Sequence, residues 1–154
     1  MGDITNSGTI DTDEDGILVS SSTVDGNITN SGDITITGGK GGGEGIYVDN
    51  DSEVGGSIIN TVDASITAGD DGIQVISSST VGGDIINAGS IDVGDDGIVI
   101  YDDASIDGSI INSGTIDADY DGIAVSSSST IEGDITNSGE INAEDSGIYL
   151  YSYS

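Results

Sequence analysis

The stretch that decides the fold is GDITNSGTI, residues 2–10, because close variants of it recur along the whole chain. The variants begin at Gly2, Gly26, Gly56, Gly83, Gly108 and Gly133, at intervals of 24, 30, 27, 25 and 25 residues. Self-similarity at such a period is typical of solenoid proteins. We therefore predict one domain over residues 1–154, built from units 2–25, 26–55, 56–82, 83–107, 108–132 and 133–154, the last of them incomplete.

Each unit is predicted to contain three short strands separated by turns. In the first unit, Ile4 and Asn6 lie on the first strand, Ile10 centres the second, and the third begins at Ile17. Residues two apart on a strand point to the same face. Because strands this short cannot bury an apolar face alone, stacked units would form shared aliphatic ladders. The pattern predicts an all-β fold, a parallel β-helix (β-solenoid) with six coils, about 25 residues per coil and a length of roughly 29 Å.

Two units are longer than the others. TGGKGGGEG (37–45) lengthens a turn of the second unit, and TVDAS (61–65) lengthens one of the third. We expect both insertions to protrude from the rod as loops.

One polar residue type recurs at the same position of every unit: Asn6, Asn30, Asn60, Asn87, Asn112 and Asn137. If these asparagines point inward, each side chain can bond its neighbour in the next coil, which gives a buried amide a partner. A row of ligand-binding amides is the alternative interpretation.

Composition excludes several classes of function. The chain has 29 acidic residues and a single basic one, Lys40, for a formal charge of −28, and it contains no Cys or His. Disulfides and thiolate chemistry are therefore absent. So large a negative charge argues against binding to nucleic acid, which is itself a polyanion. Apolar runs reach only about four residues, as in IVIY (98–101), so no membrane insertion is expected.

Several motifs resemble the passenger repeats of bacterial autotransporters and related haemagglutinin-type adhesins. They are NSGTI (6–10, 112–116), DGIAV (121–125) and SSSTIEGDITNSG (127–139). The resemblance extends over all 154 residues. It implies an extracellular or cell-surface β-helical stalk that serves in adhesion or surface architecture. Two features of that family, a translocating barrel and a recognisable cap, have no counterpart in this sequence.

The turn DTDEDG (11–16) and its counterparts at 67–72, 92–97 and 117–122 concentrate carboxylates on one predicted edge. Oxygen ligands without His or Cys select hard cations, and calcium tolerates the least regular geometry. A solvated acidic edge that keeps the rod soluble and blocks lateral strand pairing is the alternative. The candidate calcium ligands are Asp11, Asp13, Asp15, Asp70, Asp71, Asp92, Asp95, Asp96, Asp117, Asp119 and Asp121.

These features favour a non-catalytic structural solenoid over two other classes. The third strand is followed by a closing Val24 five residues after Val19, and five residues after Leu150 would fall on Met1 of a second chain. This spacing predicts self-association into a head-to-tail filament.

An adhesin segment that binds a glycan or a surface protein is the second interpretation. Its contact surface would combine outward isoleucines with outward tyrosines: Ile59, Ile86, Ile111, Tyr47, Tyr101, Tyr149, Tyr151 and Tyr153. A polysaccharide-active β-helix enzyme is the third. Paired carboxylates suffice for glycoside hydrolysis in principle, but acids occur at almost every turn and single out no pair.

Overall fold

The computed structural model describes residues 1–151 and confirms the predicted class, a parallel β-solenoid of about six coils. The described residues contain strands and turns but no helix. Residues 152–154, which include Tyr153 and the end of predicted unit 133–154, lie outside the described part of the chain.

Each coil contributes one strand to each of three long parallel sheets. The first sheet consists of Ile4–Asn6, Ile28–Asn30, Ile58–Asn60, Ile85–Asn87, Ile110–Asn112 and Ile135–Asn137. The second consists of Thr9–Thr12, Asp33–Ile36, Ser65–Ala68, Ser90–Val93, Thr115–Ala118 and Glu140–Ala143. The third consists of Ile17–Ser20, Ile46–Asp49, Ile73–Val75, Ile98–Ile100, Ile123–Val125 and Ile148–Leu150.

A fourth sheet of two-residue strands lies at the closing position of the first five coils. Its strands are Thr23–Val24, Glu53–Val54, Thr80–Val81, Ser105–Ile106 and Thr130–Ile131. The sequence placed a closing apolar residue here, and the structure shows that its backbone also pairs from coil to coil.

The register is the one that the repeat predicts. Ile4 pairs with Ile28, and the same column continues through Ile58, Ile85, Ile110 and Ile135. Ile28, Ile58, Ile85 and Ile110 are completely buried. Burying one such side chain contributes about 1.5–3 kcal/mol, and a slip of one residue would turn the whole ladder outward. The aliphatic columns therefore hold the register.

The asparagines form the predicted amide ladder inside the rod. Asn30, Asn60, Asn87 and Asn112 are fully buried. Along the column each Nδ2 donates to the Oδ1 of the next coil at 2.8–2.9 Å. The same Nδ2 group also donates to a backbone carbonyl of the next coil, as Asn87 does to Thr115 at 3.1 Å. The ladder thus satisfies the buried amides, as buried polar groups require.

The coil corners after the third strand use left-handed backbone conformations. Positive φ angles occur in the pairs Asn50–Asp51, Ser77–Ser78, Asp102–Asp103 and Ser127–Ser128. Asn and Asp adopt this region more readily than Ser because their short side chains bond locally. The serine corners are therefore conformationally less favourable than the Asn and Asp corners.

Replacing Ser128 by asparagine is expected to stabilise the fold slightly, since φ at this position is 64°. The several-fold preference of Asn over Ser for this conformation corresponds to a gain of about 0.5 kcal/mol. Denaturant unfolding would measure the gain. Ser126→Asn is the matched control, because it adds the same side chain where φ is not positive; an equal gain from Ser126→Asn would contradict the backbone explanation.

Candidate functional site

The acidic edge is the most distinctive polar feature of the rod. Its inner acidic column consists of the residue that precedes the turn glycine in each of the first five coils: Asp15, Glu44, Asp71, Asp96 and Asp121. The glycine itself is required, because a Cβ on Gly97 would lie 2.5 Å from the carbonyl oxygen of Gly122. This close approach brings successive acidic turns into direct contact.

Four carboxylates of the inner acidic column each accept a hydrogen bond from the backbone of the next coil. Asp71 Oδ1 accepts from the N–H of Asp96 at 2.9 Å, and Asp96 Oδ1 accepts from Asp121 at 2.8 Å. Asp15 bonds the N–H of Glu44 at 3.2 Å, and Asp121 bonds the N–H of Ser146 at 2.9 Å. The column therefore caps backbone donors that would otherwise lack partners between coils.

Burial makes three carboxyl groups of the inner acidic column harder to ionise. It raises the pKa of Asp71 to about 7, although the hydrogen bonds from the Asp96 N–H and from Gln74 act in the opposite direction. Burial raises the pKa of Asp96 to about 6, against the lowering effect of the Asp121 N–H. The pKa of Glu44 rises to about 8, first through burial and then through its hydrogen bond with Asp15 and the charge of that residue. Asp71, Asp96 and Glu44 therefore take up protons closer to neutral pH than ordinary carboxyl groups do.

Lys40 supplies a positive charge to the outer part of the same edge. Its Nζ lies 2.8 Å from Asp119 Oδ2, and this hydrogen bond raises the pKa of Lys40. In the same loop, the N–H of Gly41 donates to Asp70 Oδ1 at 3.3 Å. The insertion 37–45 therefore lies along the acidic edge from the third coil to the fifth, with residues 37–41 exposed on the outside of the rod. The second insertion is exposed as well, since the exposed fraction of Val62 is 69%.

The structure distributes the eleven predicted calcium ligands over three environments. Asp15, Asp71, Asp96 and Asp121 lie in the inner acidic column. Asp13, Asp70, Asp95 and Asp119 lie outside it on the same turns, where Asp13 accepts from Thr37 Oγ1 at 2.6 Å. Asp11, Asp92 and Asp117 lie on the outward face of the second sheet, where Asp92 pairs directly with Asp117 and Asp11 pairs with Thr35.

No group of three acidic side chains within residues 1–151 converges closely enough to hold a metal ion. The inner carboxylates of Asp71 and Asp96 already bond backbone N–H groups, and on the outward face Asp92 and Asp117 are register partners on neighbouring strands. The described residues therefore do not form a preassembled calcium cage.

Two residues of this edge were missed in the sequence analysis, and both belong to the insertion 37–45. Glu44 belongs to the inner acidic column, and the signal was present in the triplet EGI (44–46), which matches the DGI of other turns. For Lys40, the sequence showed only that it is the single basic residue of the chain. Because the insertion lengthens this turn, neither residue was aligned with the shorter acidic turns of the other coils.

The predicted outward isoleucines and tyrosines lie on different sheets. Ile59, Ile86 and Ile111 stand side by side on the first sheet, partly exposed, and we call them the isoleucine stripe. Tyr47 and Tyr149 occupy outward positions of the third sheet. Tyr149 stacks on Tyr151 with ring centroids 6.2 Å apart. The residues therefore form two separate surfaces rather than one combined face.

The sixth coil carries an apolar end surface. Ile148 and Leu150 are 44% and 64% exposed, and a depression of about 540 Å³ is lined partly by Val125, Ile131 and Leu150. No helix in the described part of the chain is long and apolar enough to cross a membrane.

The fold and its repeated contacts define a β-solenoid repeat protein. Comparisons of the chain with protein families, with curated proteins and with solved structures found no match.

Proposed function

We propose that this chain is a non-catalytic structural protein, an extracellular β-solenoid that serves as a stalk or as the unit of a head-to-tail filament. The observation that carries the proposal is the uniformity of the coils. The amide ladder and the carboxylate caps recur from coil to coil along the rod. A chain whose polar groups are used to join coils is suited to mechanical continuity. The resemblance to autotransporter passengers supports a location at the cell surface or outside the cell.

The same contacts favour a non-catalytic role. The buried carboxylates bond backbone N–H groups of the next coil, which leaves fewer of their oxygens for a substrate. The chain also contains no His or Arg to act as a base or to bind acidic sugars. Turnover of any polysaccharide by the purified chain would overturn this part of the proposal.

Electron microscopy of the purified chain tests the structural role directly. We expect a single chain to measure about 29 Å along the solenoid axis, from a coil spacing near 4.8 Å, which is close to the width that its mass of 15.3 kDa implies, and we expect fibres of the same width after association. Small-angle scattering should give the matching rod-shaped cross-section. A purified chain that shows neither fibres nor the far-ultraviolet circular dichroism of β-structure would contradict the proposal.

The isoleucine stripe favours a second candidate function, an adhesin segment that binds a glycan or a neighbouring surface protein. Contiguous exposed apolar residues on a small protein often mark a contact surface. The native column has threonine at 5, 29 and 136, so Ile86→Thr is compatible with the sheet. Under this alternative, a surface or glycan that retains the wild-type chain should retain the Ile86→Thr variant several-fold less. Equal retention would exclude the stripe as the contact.

Calcium stabilisation is the remaining part of the proposed function. The structural support is restricted to places where carboxylates of adjacent coils stand side by side, above all Asp92 and Asp117. We expect calcium to raise the melting temperature by a few degrees more than magnesium at equal ionic strength, because binding to the folded state alone stabilises it. The double variant Asp92→Asn, Asp117→Asn should abolish the difference. Equal melting of the wild type in EDTA, calcium and magnesium would remove calcium from the proposal.

A further inference from the structure

The two ends of the rod expose complementary parts of the core. At the C-terminal end, Ile148 is 44% exposed, whereas its counterpart Ile123 in the coil before is fully buried. At the N-terminal end, Ile4 and Ile10 are half-buried, whereas Ile28 and Ile34 in the next coil are fully buried. Each end thus presents the apolar columns that another coil covers elsewhere in the rod.

The asparagine ladder has a direction, and the direction at the C-terminal end of the rod is complementary to that at the N-terminal end. Every asparagine Nδ2 donates toward the C-terminal neighbour, from Asn6 to Asn30 and finally from Asn112 to Asn137. Among the described residues, Asn6 is therefore the first donor of the ladder and Asn137 is its last acceptor, so Asn6 Oδ1 has no asparagine donor in a preceding coil and Asn137 Nδ2 has no asparagine acceptor in a following one. If Asn6 of a second copy lay beyond Asn137, the ladder would continue with unchanged polarity. Two identical ends facing each other would instead oppose donor to donor or acceptor to acceptor.

Two glycines show where such a second copy would sit. A Cβ on Gly147 would meet nothing nearer than Ile141 at 3.9 Å, whereas a Cβ on Gly122, its counterpart, would lie 2.6 Å from the Gly147 carbonyl oxygen. At the other end, Gly8 has nothing within 4 Å of an added Cβ, whereas a Cβ on Gly32 would lie 1.9 Å from the Gly8 carbonyl oxygen. No contact within the chain requires glycine at 8 or 147, whereas a further coil stacked on either end in the same geometry would require it.

We propose that the C-terminal face of one copy of this chain binds the N-terminal face of a second copy, in the register that joins the internal coils. This deepens the proposed structural function and rests on it.

The register of the joint follows from the internal coils. Asn137 would donate to Asn6 of the second copy, and Gly147 would contact its Gly16. Neutral Asn142 and Ser146 would lie opposite Asp11 and Asp15 of the second copy. Other rows would oppose like charges: Asp134 to Asp3, Glu144 to Asp13 and Asp145 to Glu14. Association is therefore expected to strengthen with salt, which screens such repulsion.

Analytical ultracentrifugation of the full chain and two single variants tests the joint. Gly147→Ala blocks the C-terminal face, and Gly8→Ala blocks the N-terminal face. Neither added methyl group meets a close neighbour within one chain, so circular dichroism spectra and melting of the monomers should match those of the wild type. We expect concentration-dependent oligomers for the wild type and monomers for each variant. An equal mixture of the variants should form dimers and nothing larger, because only one open C-terminal face and one open N-terminal face are available.

Ile86→Thr is the control for lateral association through the isoleucine stripe and should assemble like the wild type. Four outcomes would overturn the joint: oligomers of either single variant, a monomeric mixture beside an assembling wild type, loss of assembly in Ile86→Thr, or a wild type that stays monomeric at high protein and salt concentration. Failure of the proposed function is distinguishable. Folded monomers with the circular dichroism of β-structure that do not join end to end leave a stalk in place, whereas a purified chain without that spectrum refutes the structural role.

Discussion

Replacing Asn87 by alanine is expected to lower the free energy of unfolding by about 3–5 kcal/mol. Asn87 is fully buried; it accepts from Asn60 and donates to Asn112 and to the carbonyl of Thr115. The substitution would leave Asn112 Oδ1 without the bond from its preceding neighbour and would open a cavity in the middle of the ladder. A buried polar group that loses its partner forfeits about 1–3 kcal/mol, and the cavity adds to this.

Thermal and denaturant unfolding measure the effect, and a loss of this size corresponds to a decrease of about 10 °C in melting temperature. The matched control is Asn137→Ala at the exposed end of the same column. Asn137 accepts one bond from Asn112, whose Nδ2 also donates to the carbonyl of Glu140 at 3.2 Å. We expect this control to lose about 1 kcal/mol or less. Similar losses at the two positions would mean that the ladder contributes little beyond ordinary packing.

The architecture could be predicted from the sequence because every coil repeats the same pattern of inward-facing residues. Ile at the first column and Asn two residues later must share a face, and six such pairs leave stacking as the way to bury them. The predicted register of Ile4 with Ile28 and the inward direction of the asparagines are both confirmed. Columns survive insertions, because a loop changes the interval between repeats without changing which residues face the core.

The acidic edge was less accessible because its chemistry depends on contacts between coils. Sequence identified Asp71 and Asp96 as a column, but not that one carboxylate caps the backbone N–H of the next. The position of Lys40 beside Asp119 depends on how the insertion 37–45 folds back, which no periodic pattern encodes. The fourth sheet, with its two-residue strands, was not predicted for a related reason. A single closing valine such as Val54 indicates burial in the sequence, but it does not indicate backbone pairing between coils.

The inner acidic column is expected to make the protein more stable at pH 5 than at pH 8, by about 2–4 kcal/mol. The pKa of Asp71 is about 7 in the folded chain, against 3.8 for an ordinary aspartate. Above pH 7 the folded state must therefore hold a charged carboxylate in a buried site, whereas the unfolded state holds it in water. The contribution of Asp71 to the free energy of unfolding is accordingly highest below about pH 4, falls as the pH rises toward 7, and is lowest above that.

Two other carboxyl groups of the inner acidic column have raised pKa values and also make the protein more stable at low pH. The pKa of Glu44 is about 8 and that of Asp96 is about 6, both raised first by burial. Each is partly exposed, so solvent screening makes its contribution smaller than that of Asp71. The formal charge of −28 adds to the effect, since protonation reduces repulsion along the rod.

Asp71→Asn isolates the largest contribution to this pH dependence. The asparagine Oδ1 can still accept from the N–H of Asp96, and its Nδ2 can donate to Gln74 after rotation of the Gln74 amide. We expect the variant to be more stable than the wild type at pH 8, and to lose much of the difference between pH 5 and pH 8 when unfolding is followed across that range. Asp92→Asn removes the same charge from the exposed face of the second sheet and should leave the slope nearly unchanged. If both variants flatten the slope equally, the pH dependence arises from net charge, and burial of the column is not its cause.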